Sequence, residues 1–182
     1  MVEISFPFGM CLVTFGWLLF RLSTYFKSNL FDWKSEARQL LFLINLLVIV
    51  RFTFYPFSKV DGQVQPLLFE VATAYPFRMN LIPFANLMDY ESKFDLLLNL
   101  IGNFAMFIPS GILLPLIYKN LNSLYKTVGT GFLISLTIEI IQLPFAVRAS
   151  DVDDLILNTA GCLTGYCIYA LARHFTQKRN VR

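Results

Sequence analysis

Five long apolar runs dominate this chain and limit the folds open to it. A hydrocarbon core of roughly 30 Å needs about 20 apolar residues to cross it as a helix. Because backbone groups in lipid must pair within the protein, each run is predicted to be a transmembrane helix. We therefore predict an all-α integral membrane protein, a bundle of about five transmembrane helices in one membrane domain spanning residues 1–182. The runs cover residues 4–26, 40–57, 96–118, 128–145 and 152–172.

Composition agrees with this class. Hydrophobic residues make up 56% of the chain and charged residues only 15%, against roughly 25% charged in an average soluble domain. The first run follows Glu3, without a basic segment before it or a small-residue cleavage site after it. It is therefore predicted to be a retained helix and not a signal peptide.

The basic residues predict an orientation. Ten of the fifteen Lys and Arg residues fall on one side of the predicted membrane. Loops rich in Lys and Arg stay in the cytoplasm, so we expect the amino terminus outside and the carboxyl terminus in the cytoplasm. The ten are Arg21, Lys27, Lys34, Arg38, Lys119, Lys126, Arg173, Lys178, Arg179 and Arg182.

Polar residues recur in the outer half of four runs, where depth follows from a rise of about 1.5 Å per residue. Each charge at a helix centre costs roughly 2.5 to 3.5 kcal/mol on insertion scales. Polar groups at a similar depth on several helices therefore predict one shared pocket that opens outward. They are Arg51, Asn99, Asn103, Glu139, Gln142 and Asn158.

The fifth run begins with three acids, and two interpretations stay open. Asp151 is placed to cap the helix, with Asp153 and Asp154 favoured by the helix dipole. Alternatively these acids and Glu139 are the candidate catalytic groups, acting as acids or bases. Asp154 lies four residues before Asn158, on the same helix face, so it is the acid expected to point into the pocket.

Residues 143–148 lead into this acidic start. Pro144 is expected to kink the outer end of the fourth helix and to bring Arg148 close to Asp151 and Asp153. An ion pair of Glu139 with Arg51 or Arg148 would lower the cost of burying these charges.

Other residues are predicted to have structural roles, or they exclude particular kinds of catalytic or metal site. Gly161 and Gly165 are expected to let a neighbouring helix approach closely. His174 lies at the predicted cytoplasmic end, so a Ser-His or Cys-His site in the outer pocket lacks its base. We predict no metal, no cofactor and no nucleic-acid binding, since Asp-x-Asp-Asp alone is a weak metal motif. The three cysteines, all in the apolar runs, are expected to be buried: Cys11, Cys162 and Cys167.

Residues 77–84 are apolar but too short to span, and they contain Pro83. An interfacial or re-entrant segment that forms a lid over the pocket is one interpretation. An amphipathic segment lying on the outer leaflet is the other.

Four motifs in order resemble those of the VanZ-like family, over about residues 40–172. The second motif has Ser110 where the family pattern has Phe, a small departure. The motifs are Arg78-x-Asn80-Leu-Ile-Pro-Phe, Asn99-Leu-Ile-Gly-Asn103-Phe-x-x-Phe-Ile-Pro109-x-Gly111, Ile138-Glu139-x-x-Gln142, and Arg148-x-x-Asp151-Val-Asp153-Asp154-x-x-x-Asn158-x-x-Gly161.

The resemblance implies a multi-pass protein of the bacterial plasma membrane. The family is named after a member associated with low-level resistance to teicoplanin, a glycopeptide antibiotic that acts on cell-wall precursors. It implies no established reaction, so whether the chain is an enzyme stays open, as does its oligomeric state. The candidate ligand-binding residues are Arg51, Arg78, Asn80, Asn99, Asn103, Gln142, Arg148 and Asn158.

Three functions remain open. The pocket is predicted to bind or modify a lipid-linked cell-wall precursor or another envelope ligand, with Arg51, Arg78 and Arg148 holding phosphate or carboxylate. The alternative is a noncatalytic accessory module that lowers access of the drug to its target or assists another protein. Transport of a small solute or protons is less favoured, because five helices without an evident repeat are atypical of transporters.

Overall fold

The fold consists of long helices joined by short strands and turns. The computed structural model describes residues 2–28, 32–55, 59–60, 62–70, 79–85, 92–145 and 149–179. In this part of the chain, five helices are long and apolar enough to cross a membrane. The predicted all-α membrane fold is therefore confirmed. The helices are α1 (Phe6–Ser28), α2 (Trp33–Phe54), α3 (Lys93–Ile117), α4 (Leu124–Gln142) and α5 (Val152–Arg179).

Several helices extend beyond the apolar runs. Helix α2 begins at Trp33 because the Asp32 carboxylate accepts the backbone N–H groups of Lys34 and Ser35, at 3.2 and 3.1 Å. Such a cap satisfies donors that the first turn leaves unpaired. Helix α5 continues to Arg179, past the predicted end at residue 172. Apolarity marks the membrane segment, whereas capping and helix propensity set the helix ends.

Helix α4 ends at Gln142, so the expected kink at Pro144 is wrong. Pro144 lies in a turn after the helix, where the N–H of Phe145 bonds to the Gln142 carbonyl at 3.0 Å. The residue before a proline disfavours the helical conformation, so the helix stops early. Helix α3, in contrast, carries Pro109 and Pro115 within its length.

Two compact units divide the chain: Met1–Asn80 with Ile138–Ser150, and Leu81–Thr137 with Asp151–Arg182. In the first unit, α1 and α2 form a hairpin whose Arg21 and Glu36 side chains make a salt bridge. The pair neutralises two charges on helices that must cross lipid.

Among the described residues, three pairs of short strands accompany the helices. Antiparallel pairing joins β1 (Val2–Ile4) to β4 (Leu67–Phe69) and β2 (Lys59–Val60) to β3 (Gln63–Val64). A further pair joins β5 (Met79–Asn80) to β6 (Ser150–Asp151). The rings of Phe54 and Phe69 lie 6.0 and 5.8 Å from that of Phe145. This aromatic cluster joins the end of α2, strand β4 and the chain after α4.

The second unit is built on close packing of α3 against α5. A Cβ atom added to Gly161 would overlap the carbonyl oxygen of Phe104, and one added to Gly165 would overlap that of Ile108. Gly111 of α3 lies in the same way against the carbonyl oxygen of Cys162. The glycines let the two backbones meet, and this agrees with the packing role predicted for Gly161 and Gly165.

The expected burial of the cysteines is correct only for Cys162. Cys11 and Cys167 are exposed on α1 and α5. An apolar run shows that a residue lies in a spanning helix, but it does not show which face of the helix meets other helices. His174 is also exposed, near the end of α5.

Candidate functional site

Asp151 caps the start of α5. Its Oδ1 accepts the backbone N–H of Asp153 at 2.9 Å, which is the bond that an N-cap carboxylate makes. Asp153 and Asp154 then occupy the first turn. The capping interpretation therefore accounts for Asp151.

Asp153 is the most buried of the three acids, with 6% of its surface exposed. Both carboxylate oxygens accept the backbone N–H of Phe84, at 2.8 and 3.1 Å. A buried carboxylate is costly unless it is hydrogen-bonded, and this bond to the backbone meets that need. Asp153 thus holds residues 81–85 against the first turn of α5.

Asp154 pairs with α3. It is half-buried, and it accepts a hydrogen bond from Nδ2 of Asn103. The same Nδ2 lies 3.5 Å from Oδ1 of Asn99, one turn earlier in α3. The structure therefore brings together three of the predicted site residues, and Asn99 and Asp154 are both partly accessible.

Asn158 lies one turn deeper in α5 and is almost fully buried, with 1% exposed. Its Nδ2 donates to Oγ of Ser135 in α4 at 2.9 Å, while its Oδ1 has no hydrogen-bond partner among the described residues. Ser135 was not predicted, because one serine in an apolar helix gives no sign of its partner. A buried acceptor without a donor is unfavourable for stability.

The first unit holds another group of predicted residues. Nη1 of Arg51 donates to the Tyr55 carbonyl at 3.1 Å. The Arg51 guanidinium lies 5.6 Å from the centre of the Phe6 ring and 5.5 Å from that of Phe52. These rings favour the cation at the end of α2. Glu139, in α4, is buried with 4% exposed.

Two polar side chains donate to backbone carbonyls, one at the end of α2 and one just before α1. Nε2 of Gln142 donates to the Thr53 carbonyl at 2.7 Å, one of the carbonyls that the last turn of a helix leaves unpaired. The Tyr55 hydroxyl donates to the Ser5 carbonyl at 3.2 Å. Burial raises the pKa of Tyr55 above its ordinary value, so the hydroxyl remains a donor.

The remaining predicted site residues are described only in part. Arg78 and Arg148 lie outside the described residues, and so do their expected contacts. Asn80 lies in β5 and is half-buried. The described part of the chain holds no group of three His, Cys, Asp or Glu residues suited to a metal ion. The ion pair of Glu139 and the shared pocket stay predictions.

Comparison with known proteins identifies the family of the chain. The family model VanZ/LLP1 matches residues 42–173, which agrees with the predicted range of about 40–172. Protein VanZ of Enterococcus faecium is 31% identical over 146 residues, 80% of this chain and 80% of that protein. No solved structure matches the chain. The chain therefore belongs to the VanZ/LLP1 family.

Proposed function

We propose that this chain is a protein of the bacterial plasma membrane, with its amino terminus outside, that binds a lipid-linked cell-wall precursor or related envelope ligand. The observation that carries the proposal is the contact of Asn103 with Asp154 and Asn99. Asn99 and Asn103 lie in the first half of α3 and Asp154 lies in the first turn of α5, toward the amino-terminal ends of these helices. In the proposed orientation, these helix ends face the outer leaflet.

The chemistry of this group suits a polar ligand at a lipid surface. Carboxylate and amide side chains bind the hydroxyl and amide groups of sugars and peptides through paired hydrogen bonds.

The proposed consequence is reduced sensitivity to teicoplanin. Family membership and similarity to Protein VanZ support this proposal. Engagement of such a ligand would change how the antibiotic reaches its target.

The proposal favours ligand binding without catalysis over an enzymatic reaction. Asp151 caps α5 and Asp153 binds the Phe84 backbone, so two of the four candidate acids already have structural roles. General acid or base catalysis needs a carboxyl group within hydrogen-bond reach of the substrate. Transport remains the less favoured alternative.

Expression in a susceptible Gram-positive host tests the function. We expect the chain to lower sensitivity to teicoplanin more than to vancomycin, and Asp154→Asn to abolish this shift at unchanged membrane abundance. Asn retains an acceptor for Asn103 but removes the charge. Asp95→Asn is the matched control, because Asp95 is an exposed acid in the first turn of α3. No selective shift with the unmodified chain, or equal loss with both variants, would refute the proposal.

A further inference from the structure

We propose that residues 81–85 form an interfacial membrane anchor. A hydrogen bond from Phe84 to Asp153 holds the segment in place, and its apolar side chains insert among the lipids beside the start of α5. This inference does not rest on the proposed function. It assigns an interaction surface to a segment for which the sequence left two interpretations open.

The segment exposes an unbroken apolar run. Leu81 is 68% exposed, Ile82 70% and Phe84 52%, and Pro83 and Ala85 between and after them are exposed as well. Single exposed apolar residues are ordinary, but a contiguous apolar patch marks a surface that contacts another apolar phase. These exposed side chains therefore match an apolar partner.

The position of the segment points to lipid as that partner. Asp153 lies in the first turn of α5, a helix long and apolar enough to span a membrane. Its bond to Phe84 places the segment at the level where the spanning helix begins. Leu, Ile and Phe at this depth lie at the boundary between headgroups and acyl chains, the usual location of interfacial anchors.

The backbone of the segment is compatible with that location. The N–H of Ala85 donates to the Ile82 carbonyl at 3.3 Å, and the N–H of Phe84 donates to Asp153. Backbone groups near hydrocarbon must be paired within the protein, and a short turn with such bonds meets this requirement.

Phe84 has a backbone conformation that it would otherwise avoid. Phe84 has a φ of 61°, in the left-handed region that bulky residues rarely adopt. The bonds to the buried Asp153 carboxylate stabilise this conformation. The apolar side chains are thus held exposed beside α5.

The exposure also argues against the alternatives. A closed lid would bury Leu81 and Ile82 against the protein, whereas both are more than two thirds exposed. The segment carries no charged residue, so ionic binding to headgroups does not explain it. Acyl chains match its chemistry.

Site-specific fluorescence in lipid nanodiscs tests the anchor. Trp17 and Trp33 are first replaced by Phe, and one tryptophan is introduced as Ile82→Trp. Leu133→Trp, on an exposed apolar face of α4, is the lipid reference, and Gln63→Trp, at an exposed polar position in β3, is the water reference. Quenching is measured with lipids labelled at shallow or deep acyl positions and with aqueous iodide.

We expect Ile82→Trp to be quenched several-fold more by the shallow lipid label than the water reference is, and to be shielded from iodide. Strong quenching by iodide would overturn the anchor, and so would protection from both lipid and iodide, as in a closed lid. The contribution of the hydrogen bond from Phe84 to Asp153 is tested with Asp153 variants in the same background. Asp153→Ala should lower the shallow quenching, whereas Asp153→Asn, which keeps an acceptor, should retain most of it; equal quenching in both variants would remove Asp153 from the proposal.

Discussion

The carboxylate of Asp153 accepts the backbone N–H of Phe84 through both of its oxygens, at 2.8 and 3.1 Å. The two residues are 69 positions apart in the chain. One bond therefore joins the Asn80-Leu-Ile-Pro-Phe motif to the acidic motif at the start of α5. Two of the motifs that resemble those of the family are parts of one structural contact.

Loss of this contact should destabilise the protein. Asp153→Ala removes a hydrogen bond to a charged group, which is worth about 1.5–3 kcal/mol, and Asp153→Asn should cost less because it keeps an acceptor. Thermal unfolding in lipid nanodiscs measures the difference. Asp95→Ala, at an exposed position, is the control, and a melting shift as large as that of Asp153→Ala would contradict the assignment.

The α3–α5 contact should not tolerate one additional methyl group. Gly161→Ala and Gly165→Ala each place a Cβ against a backbone carbonyl, and overpacking of this kind costs about 1–3 kcal/mol. Gly102→Ala and Gly129→Ala are matched controls, because a Cβ there meets nothing within 4 Å. We expect the controls to be neutral or slightly stabilising, as measured by thermal unfolding. Destabilisation that is equal at all four positions would contradict this account.

Ser135 and Asn158 should show energetic coupling. Removal of one partner leaves a buried polar group unsatisfied, at a cost of about 1–3 kcal/mol. Thermal unfolding of Ser135→Ala, Asn158→Leu and the double variant forms a double-mutant cycle. The double variant should lose less stability than the sum of the single variants. Additive losses would mean that the 2.9 Å contact contributes nothing.

The proposed orientation predicts chemical access from outside the cell. A cysteine at Asn99, in a background with Cys11, Cys162 and Cys167 replaced by Ala, should react with an impermeant thiol reagent on intact cells. A cysteine at Lys119, after α3, should react only after permeabilisation. The opposite pattern would reverse the topology.

The sequence predicted the helices well because a spanning helix needs a long apolar run whatever its neighbours are. It predicted helix ends less well, since these depend on caps such as Asp32 and on the helical propensity of polar residues past the membrane. The α4 end shows the same limit, because Pro144 stops the helix instead of bending it.

The site was predicted in part. The four-residue spacing of Asn99 and Asn103 correctly placed them together, and Asp154 joins them. Contacts between residues far apart in the chain could not be predicted. Ser135 resembles any helix serine, and the bond from Phe84 to Asp153 uses a backbone N–H that every residue except proline possesses. Asp153 was therefore not distinguished from its neighbours by sequence alone.

The glycine contacts between α3 and α5 have a consequence for the polar residues one or two turns away. With Gly161 against Phe104 and Gly165 against Ile108, neither helix can slide along the other without a clash of backbone atoms. A slip by one helical turn, about 5.4 Å, would separate Asn103 from Asp154. Glycines outside the proposed binding group thus set the alignment of its polar residues, and a mutation at Gly161 would alter the proposed binding while every polar side chain remained present.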